Sequence, residues 1–331
     1  MQSPVIDVRL LELLLDRREP TPLPAIAHAL TLDERTAQRE LERLRRAGCR
    51  LDEHPHGVRL VQTGITAWRD YLEAIPAAGR PPGERHVAVY RQTASTQEAA
   101  RELAVARGRD ADGALAVADE QTAGRGRLGR SWLAPPGTGV TFSRVRTIAP
   151  DDASAVERLT FAAAVCVADA MATLLAGRAV VSLKWPNDVC VGERKLAGIL
   201  VETAQRRAGE RFAIIGVGVN VGLAPGDLPP ELAPRVTSLA MEGVEPDRLA
   251  VLAAVDRALD DALHRRPLDE LLEQWRYRCG MLHRHVELWS GGRPVRGQVV
   301  DLDPHAGLIL RTAGGELLHL PAATTSARPE G

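Results

Sequence analysis

The sequence has no continuous run of about 18 apolar residues, and its N-terminus mixes acids and bases where a signal peptide needs an apolar core. Neither a membrane span nor a secretory leader is expected, and the chain reads as cytoplasmic. Its four cysteines, Cys49, Cys166, Cys190 and Cys279, lie far apart, with no C-x-x-C pair and no close histidine. Neither a zinc site nor a redox dithiol is suggested, and reduced structural thiols are the simple expectation. A net charge of −1 points to no class of partner. No internal repeat is present. Lysine is almost missing: of 42 basic residues only Lys184 and Lys195 are lysines, both in one short region. An ammonium is a compact point charge where a guanidinium is a planar fork, so a site that needs the former does not exchange them freely. Chance survival of two lysines is the competing explanation.

With 45% hydrophobic and 26% charged residues, the composition is that of an ordinary globular protein. At about 100–200 residues per domain, 331 residues predict two or three domains. Residues 1–62 carry apolar residues at helical spacing: Val8, Leu11 and Leu15, then Ile26 and Leu30, then Ala37, Leu41 and Leu44. Thr31 and Leu32 form a turn, Asp33 is a plausible N-cap and Gly48 a plausible C-cap of the third helix. Arg50–Asp52 and Gly57–Val61 then flank a His-Pro-His turn, which completes a winged helix-turn-helix pattern. The third helix's other face offers Arg35, Gln38, Arg39, Glu42 and Arg46, a set able to enter a major groove. Ten arginines meet ten acids in residues 1–60, so the non-specific pull on DNA is modest. A DNA-binding role and a protein-interaction or vestigial role both remain open.

A connecting helix near Ala67–Ile75 leads to Pro76-Ala-Ala-Gly-Arg-Pro-Pro-Gly83, so residues 63–84 read as a linker. Residues 85–280 alternate irregularly. Strands are predicted at 86–90, 114–119, 140–146, 180–185, 196–203 and 212–221, the last two joined by a hairpin near Gly209. Helices are predicted at 96–107, 154–175, 247–264 and 268–278. This order suggests α+β rather than a doubly wound sheet. Residues 281–331 hold short strands at 286–289, 295–302, 308–311 and 317–320 between glycine-rich turns, a small β-barrel of SH3-like size.

Gly124-Arg-Gly-Arg-Leu-Gly129 formally satisfies G-x-G-x-x-G after a strand. A dinucleotide loop opens a helix and needs an acid about twenty residues later. Here Leu133-Ala-Pro-Pro-Gly-Thr-Gly139 follows, and no acid occurs before Asp151. From Gln121 to Pro150 there are five arginines and no acid, a local charge of +5 in an otherwise balanced chain. Glycines let backbone N–H groups turn toward a ligand, and Arg125, Arg127 and Arg130 can neutralise phosphates, so an anionic ligand is expected. A disordered basic linker or an RGG-like RNA-binding segment is the alternative. Lys184-Trp-Pro-Asn-Asp188 ends a strand in a sharp turn, and Lys195-Leu-Ala-Gly-Ile-Leu200 begins another, with Gly198 permitting close approach to the backbone. Two ammonium groups and one carboxylate converge there, for chemistry or as a structural ion pair between Asp188 and a lysine.

Those three motifs, with the loop extended to Gly124-Arg-Gly-Arg-Leu-Gly-Arg-Ser-Trp132, closely resemble the biotin protein ligases. The helix-turn-helix makes the chain look like the bifunctional kind that also represses biotin synthesis. The resemblance implies, in order, a winged helix-turn-helix, a mixed catalytic domain related to class II aminoacyl-tRNA synthetases, and an SH3-like C-terminal domain. Ser95, Thr96 and Gln97 match the family's Ser-Thr-Asn, whose side chains hold the ureido ring of biotin; Gln97 replaces the asparagine. Gln121 matches a glutamine of the biotin pocket. Gly124, Arg125, Gly126 and Arg127 fall where the family's loop closes over biotin and the adenylate. Lys195 matches the lysine near the biotin carboxylate and the α-phosphate, with Gly198 beside it. Trp132 matches the aromatic residue near the adenine, and Arg130, Asn187, Asn220 and Arg328 complete the expected ATP contacts. Asp188 is expected to meet Mg²⁺ through the phosphates. Gly139-Val140 stands where Asn-Leu is usual before Ser143, and Ala-Ala-Thr-Thr-Ser-Ala-Arg328 replaces a Gly-Gly-Glu-bearing C-terminus.

The implied reaction joins biotin to AMP at the expense of ATP, then passes biotin to a lysine of the biotin carboxyl carrier protein of acetyl-CoA carboxylase. Arg125, Arg127, Lys184 and Lys195 would stabilise charge at the α-phosphorus, and Asp188 would orient or deprotonate the acceptor lysine. No tightly bound prosthetic group is implied. Operator DNA and a homodimer formed in the adenylate-bound state are the further implied partners, with no membrane. A lipoate ligase on a related fold is a second reading. A regulator that keeps biotin as effector without catalysis is a third, opposed by the retained lysines, Asp188 and arginine loop.

Overall fold

The computed structural model describes residues 6–17, 19–75, 83–152, 154–206, 209–303 and 306–326. Pro76–Pro82 of the expected linker and Arg328 of the expected nucleotide site lie outside the described residues.

Three helices open the chain: α1 (Val8–Asp16), α2 (Leu23–Leu30) and α3 (Glu34–Arg46). In α1 the buried stripe is Leu10, Leu11 and Leu14, while Val8 and Leu15 are only partly covered, so the inward face is rotated from the expected one. Ile26 and Leu30 of α2, and Ala37, Leu41 and Leu44 of α3, are buried as their spacing predicts. Asp33 caps α3 by accepting from the Thr36 N–H at 2.8 Å. The cap at the other end is Ala47, and Gly48 follows it at φ 88°. Strands β1 (Arg50–His54) and β2 (Gly57–Gln62) pair antiparallel with His54 opposite Gly57, a hairpin longer than the sequence suggests. Helix α4 (Ile65–Ala74) then buries Trp68, Tyr71 and Leu72.

The central elements are β3 (Val87–Thr93), α5 (Thr96–Arg107), β4 (Leu115–Gln121), β5 (Gly139–Ile148), α6 (Ala155–Leu175), β6 (Val181–Lys184), β7 (Asp188–Val191), β8 (Arg194–Gln205), β9 (Arg211–Asn220), α7 (Arg248–Arg265) and α8 (Leu268–Arg278). Seven strands form one sheet in the order β3-β4-β5-β9-β8-β7-β6, and only β3 and β4 run parallel. The mixed sheet with helices on both faces is the α+β arrangement expected. Strand β7 is the element the sequence does not announce: four residues are too few for a period-2 pattern to stand out.

Side chains alternate across the sheet. Ala116, Val145 and Ile214 face α5 and pack on its Ala99, Ala100 and Ala104. Leu115, Val117, Ile215 and Val217 belong to the larger core shared with α6 and α7. Helix α6 is long and apolar enough to cross a membrane by length and composition, with a mean hydropathy of 1.6. A search for unbroken apolar runs misses it because Glu157, Arg158 and Asp169 interrupt the segment. It packs against α7, α8 and β8, and its central residues from Phe161 to Ala168 are buried.

All four cysteines are free and buried, and burial pushes the Cys166 and Cys190 thiols up to about 12. The chain closes in a five-stranded antiparallel sheet made of β10 (His285–Ser290), β11 (Arg293–Asp303), β12 (Gly307–Arg311), β13 (Leu317–Leu320) and β14 (Thr325–Ser326). Its order is β13-β12-β11-β10-β14.

Candidate active site

The segment between β4 and β5 contains no α-helix, which removes the dinucleotide reading on structural grounds as well. It folds back on itself: the Trp132 N–H donates to the Gly124 carbonyl at 2.9 Å, Gly126 to Arg130 at 2.6 Å, and Arg125 bridges to Ser131. Two of the five arginines counted in the acid-free stretch take no part in the loop. Arg144 and Arg146 are even-numbered residues of β5 and point to the α7 face, away from the loop. Arg144 is buried against Asp256, at 2.9 Å, and Asp260, and Arg146 pairs with Asp112 at 2.9 Å. The acids missing from the local sequence are supplied mainly by α7.

The loop's three arginines have different surroundings. Arg125 is half-exposed and pairs with Glu202 at 3.1 Å and Glu98 at 3.5 Å. Arg130 reaches Ser326 Oγ at 3.4 Å. Arg127 donates to Asn187 Oδ1 at 3.3 Å, to the Thr325 carbonyl at 3.4 Å and to the Ala322 carbonyl. Among the described residues it hydrogen-bonds to no carboxylate. Burial pulls its guanidinium below the ordinary arginine value, an effect that nearby Asp188 opposes. A desolvated cation satisfied only by neutral dipoles is a strong site for an anion.

On the α5 face, Ser95 caps α5 and the first turn of that helix is pinned to β4: the Thr96 N–H donates to Gln121 Oε1 at 2.8 Å. Ser143 Oγ donates to Thr96 Oγ1 at 2.9 Å. Gln97 Nε2 donates to the Leu200 carbonyl at 3.1 Å, and its buried Oε1 has no hydrogen-bond partner among the described residues. Across the sheet, the Lys195 ammonium lies 2.6 Å from Asp188 Oδ1 and 5.4 Å from the centre of the Trp132 ring. The ion pair weighed in the sequence is therefore present, and it stands within the candidate site. Asn187 Nδ2 donates to the Ile199 carbonyl, and Asn220 Nδ2 to the carbonyls of Lys195, at 3.3 Å, and Thr237, at 2.9 Å. Those amides hold the backbone on either side of the pair.

One small cavity of about 60 Å³ gathers Ser95, Thr96, Gln97 and Gln121 with Arg125, Gly126, Arg127, Trp132, Asn187, Lys195 and Gly198. A second of about 420 Å³ lies beyond the loop, lined by Arg125–Arg130, the start of α6, β8 and Ala322. Arg130 belongs to the second cavity alone; Gly124, Lys184, Asp188 and Asn220 line neither. Lys184 sits opposite Asp188 in the β6–β7 register. Among the described residues no three metal-ligating side chains gather.

The sequence reading missed three pairs of contributors. Gly216 and Gly218 of β9 bring the sheet flush against the site: a Cβ at Gly218 would lie 2.4 Å from Trp132 Cε2, and one at Gly216 3.0 Å from Gln97 Cδ. Two glycines at i and i+2 of a strand share one face, a signal present in Gly216-Val-Gly218. Glu98 and Glu202, the partners of Arg125, carry no local signature. The carbonyls of Ala322 and Thr325 come from the C-terminal sheet and are invisible to side-chain patterns.

The biotin/lipoate A/B protein ligase family model matches residues 89–220, the segment that supplies most of this site. A biotin–[acetyl-CoA-carboxylase] ligase of Mycobacterium tuberculosis is 35% identical over 73% of this chain and 92% of its own length. The bifunctional ligase/repressor BirA of Bacillus subtilis is 38% identical over 51% of this chain, spanning 50% of its own length. The structure of the biotin protein ligase from Aquifex aeolicus in complex with biotin and ATP superposes with a TM-score of 0.61 at 28% identity. That likeness covers 73% of this chain and 98% of the other. The fold is thus that of the biotin/lipoate A/B protein ligases. The chain belongs to the biotin protein ligase family, and it is an enzyme of the biotin–[acetyl-CoA-carboxylase] ligase type.

Proposed function

We propose that the chain forms biotinyl-5'-AMP from biotin and ATP and transfers biotin to a lysine of the biotin carboxyl carrier protein. The observation that carries this is the partly buried Arg127 guanidinium, hydrogen-bonded among the described residues only to neutral oxygens and lining one cavity with the paired Lys195. A carboxylate is a poor electrophile at neutral pH. Its oxygen attacks the α-phosphorus, the new C–O–P linkage forms as the bond to the β-phosphate breaks, and pyrophosphate leaves. Negative charge grows on the α-phosphate oxygens, where Arg127 and Lys195 stabilise it more than in the ground state. Mg²⁺ carried by the nucleotide phosphates would supply further neutralisation there, and Asp188 is the carboxylate that would help hold it.

The free volume of about 60 Å³ is far below the ~300–1,000 Å³ of ordinary ligand sites, because the Trp132 indole lies on Gly198 and Gly218. The indole moves off the glycine face as ligands enter and becomes a wall of the adenine site. The unpartnered Gln97 Oε1 is the acceptor for a ureido N–H, taking the part of the family's asparagine. Loop 124–132 then closes and keeps water from the mixed anhydride. In the second step the acceptor amine attacks the acyl carbon, the acyl–oxygen bond breaks, AMP leaves and the nitrogen sheds a proton. Asp188 accepts or orients that proton once Lys195 has turned to the phosphate. Biotin-dependent exchange of labelled pyrophosphate into ATP tests substrate and reaction together, and absence of exchange refutes the reading. Competition by lipoate would favour the second substrate instead.

A second role as a biotin-responsive repressor is supported by α3, whose Arg35, Gln38, Arg39, Glu42 and Arg46 are all exposed beside the β1–β2 hairpin. Residues 1–62 would be the winged helix-turn-helix, 85–280 the catalytic domain and 281–331 the SH3-like domain. Two winged helices on two half-sites require a dimer, which ligand-induced ordering of the loop favours. Equal operator affinity with and without biotin plus ATP would sink this half of the proposal.

A further inference from the structure

The loop that closes over the site hangs from two stems, the end of β4 and the start of β5, and a single side chain from the opposite face of the sheet touches both. Arg248 opens α7, and its Nη1 lies 2.5 Å from Asp119 Oδ1 and 3.3 Å from the Gly139 carbonyl. Asp119 lies two residues before Gln121, which holds the start of α5. Gly139 pairs with Asn220, and a Cβ there would approach the Val219 carbonyl to 3.0 Å, so the backbone is drawn in close at this stem. The guanidinium is itself aimed by α4: it lies 5.1 Å from the centre of the Trp68 ring, which is 1% exposed. The preceding residue, Asp247, caps α7 and accepts from the Thr63 N–H and hydroxyl, both at 2.7 Å. Trp68 Nε1 closes the circuit on Thr63 Oγ1 at 2.8 Å.

We infer that Arg248 is a positioning residue for the ligation reaction. Resting on the reading of residues 121–132 as the closing loop, it fixes the spacing of the two loop stems from behind the sheet. Its orientation depends on the seating of α4. Arg248 touches neither cavity, so it acts through Asp119 and Gly139. Both contacts come from the one nitrogen Nη1, which the length of the arginine side chain and the packing of its planar guanidinium on Trp68 hold between the stems; the ammonium of a shorter lysine side chain loses that reach and that planar packing. Without it the loop still closes but holds the adenylate loosely, and water reaches the anhydride.

The full-length wild-type chain, Arg248→Met, Arg248→Lys, Asp119→Asn and the double variant Arg248→Met/Asp119→Asn are compared. Three quantities are read: the KM for biotin against kcat in pyrophosphate exchange, AMP released without carrier protein, and the melting temperature. Folded Arg248→Met is expected to raise both the biotin KM and carrier-free AMP release about tenfold, with kcat within about twofold of wild type. Asp119→Asn should reproduce the pattern, Arg248→Lys should fall between, and the double variant should be no worse than Arg248→Met alone. Wild-type KM and AMP release in a folded Arg248→Met, or a change confined to the melting temperature, overturns the role. Should Arg248→Met fail to fold, unchanged values in Asp119→Asn overturn it equally. A wild-type chain without biotin-dependent exchange refutes the reading of the site itself, and the positioning role with it.

Discussion

Arg127 and Arg144 lie in the same acid-free stretch, yet one ends beside the candidate site and the other at the centre of a salt-bridge network. Arg144 shares Asp256 with Arg85, which donates to the two carboxylate oxygens at 2.5 and 2.7 Å, and adds Asp260. Arg127 has an amide oxygen and two carbonyls. The difference follows from the alternation of β5 and the acids on α7, not from local charge. A cation whose charge is already matched fixes the fold, while one that is only solvated by dipoles is free to answer an anion.

The largest effect expected of this contrast is on stability. Asp256→Asn leaves two buried guanidiniums without their shared charge and should cost about 3–5 kcal/mol in urea unfolding. Burial alone would raise the Asp256 carboxyl, but Arg85 and Arg144 hold it below the usual carboxylate range. Its contribution is therefore fully present above the unfolded value of about 3.9 and is lost as pH falls through the lower folded value. The wild type should shed that stability on strong acidification, and the variant should show a flatter acid limb. A loss below about 1 kcal/mol would break the comparison, because Arg144 would then resemble Arg127.

Next come Arg127→Ala and Lys195→Ala, with the opposite signature. Each should lower pyrophosphate exchange on the order of 10²–10³-fold. Arg127→Ala removes a partly buried charge that no carboxylate hydrogen bond among the described residues repays, so its unfolding midpoint should stay at or above wild type. A stability loss like that of Asp256→Asn, with exchange intact, would reverse the assignment.

Much of this was legible in the sequence. The helices of the central region, the strands of its sheet other than β7, and the motifs at 121–132 and 184–198 follow from periodicity, glycine placement and the isolated lysines, while Ser95, Thr96 and Gln97 came from the resemblance to biotin protein ligases. The division of labour among arginines was not legible, because it depends on which sheet face each one shares with α7. Nor were Glu98, Glu202 and Arg248, whose roles come from elements distant in sequence. The rotation of α1 toward Leu10 and Leu14 was hidden because that helix is rich in leucine on several faces, and packing chose among them.

Arg125 lies between the two extremes and gives the finest test. It is half-exposed and its partners, Glu98 and Glu202, are exposed or partly so. Solvent screens such pairs, so Arg125→Gln should change stability by no more than about 1 kcal/mol. Its backbone belongs to the loop's Arg125–Ser131 bridge, and its side chain draws that loop toward α5 and β8. Losing that restraint should raise the biotin KM by about three- to fivefold, which corresponds to roughly 0.6–1 kcal/mol of binding. Glu202→Gln should give the same rise if the pair holds the loop, and the double variant should add nothing to either single change. Additive effects would show instead that Arg125 reaches the ligand directly, and it would then stand with Arg127 as a cation that answers an anion.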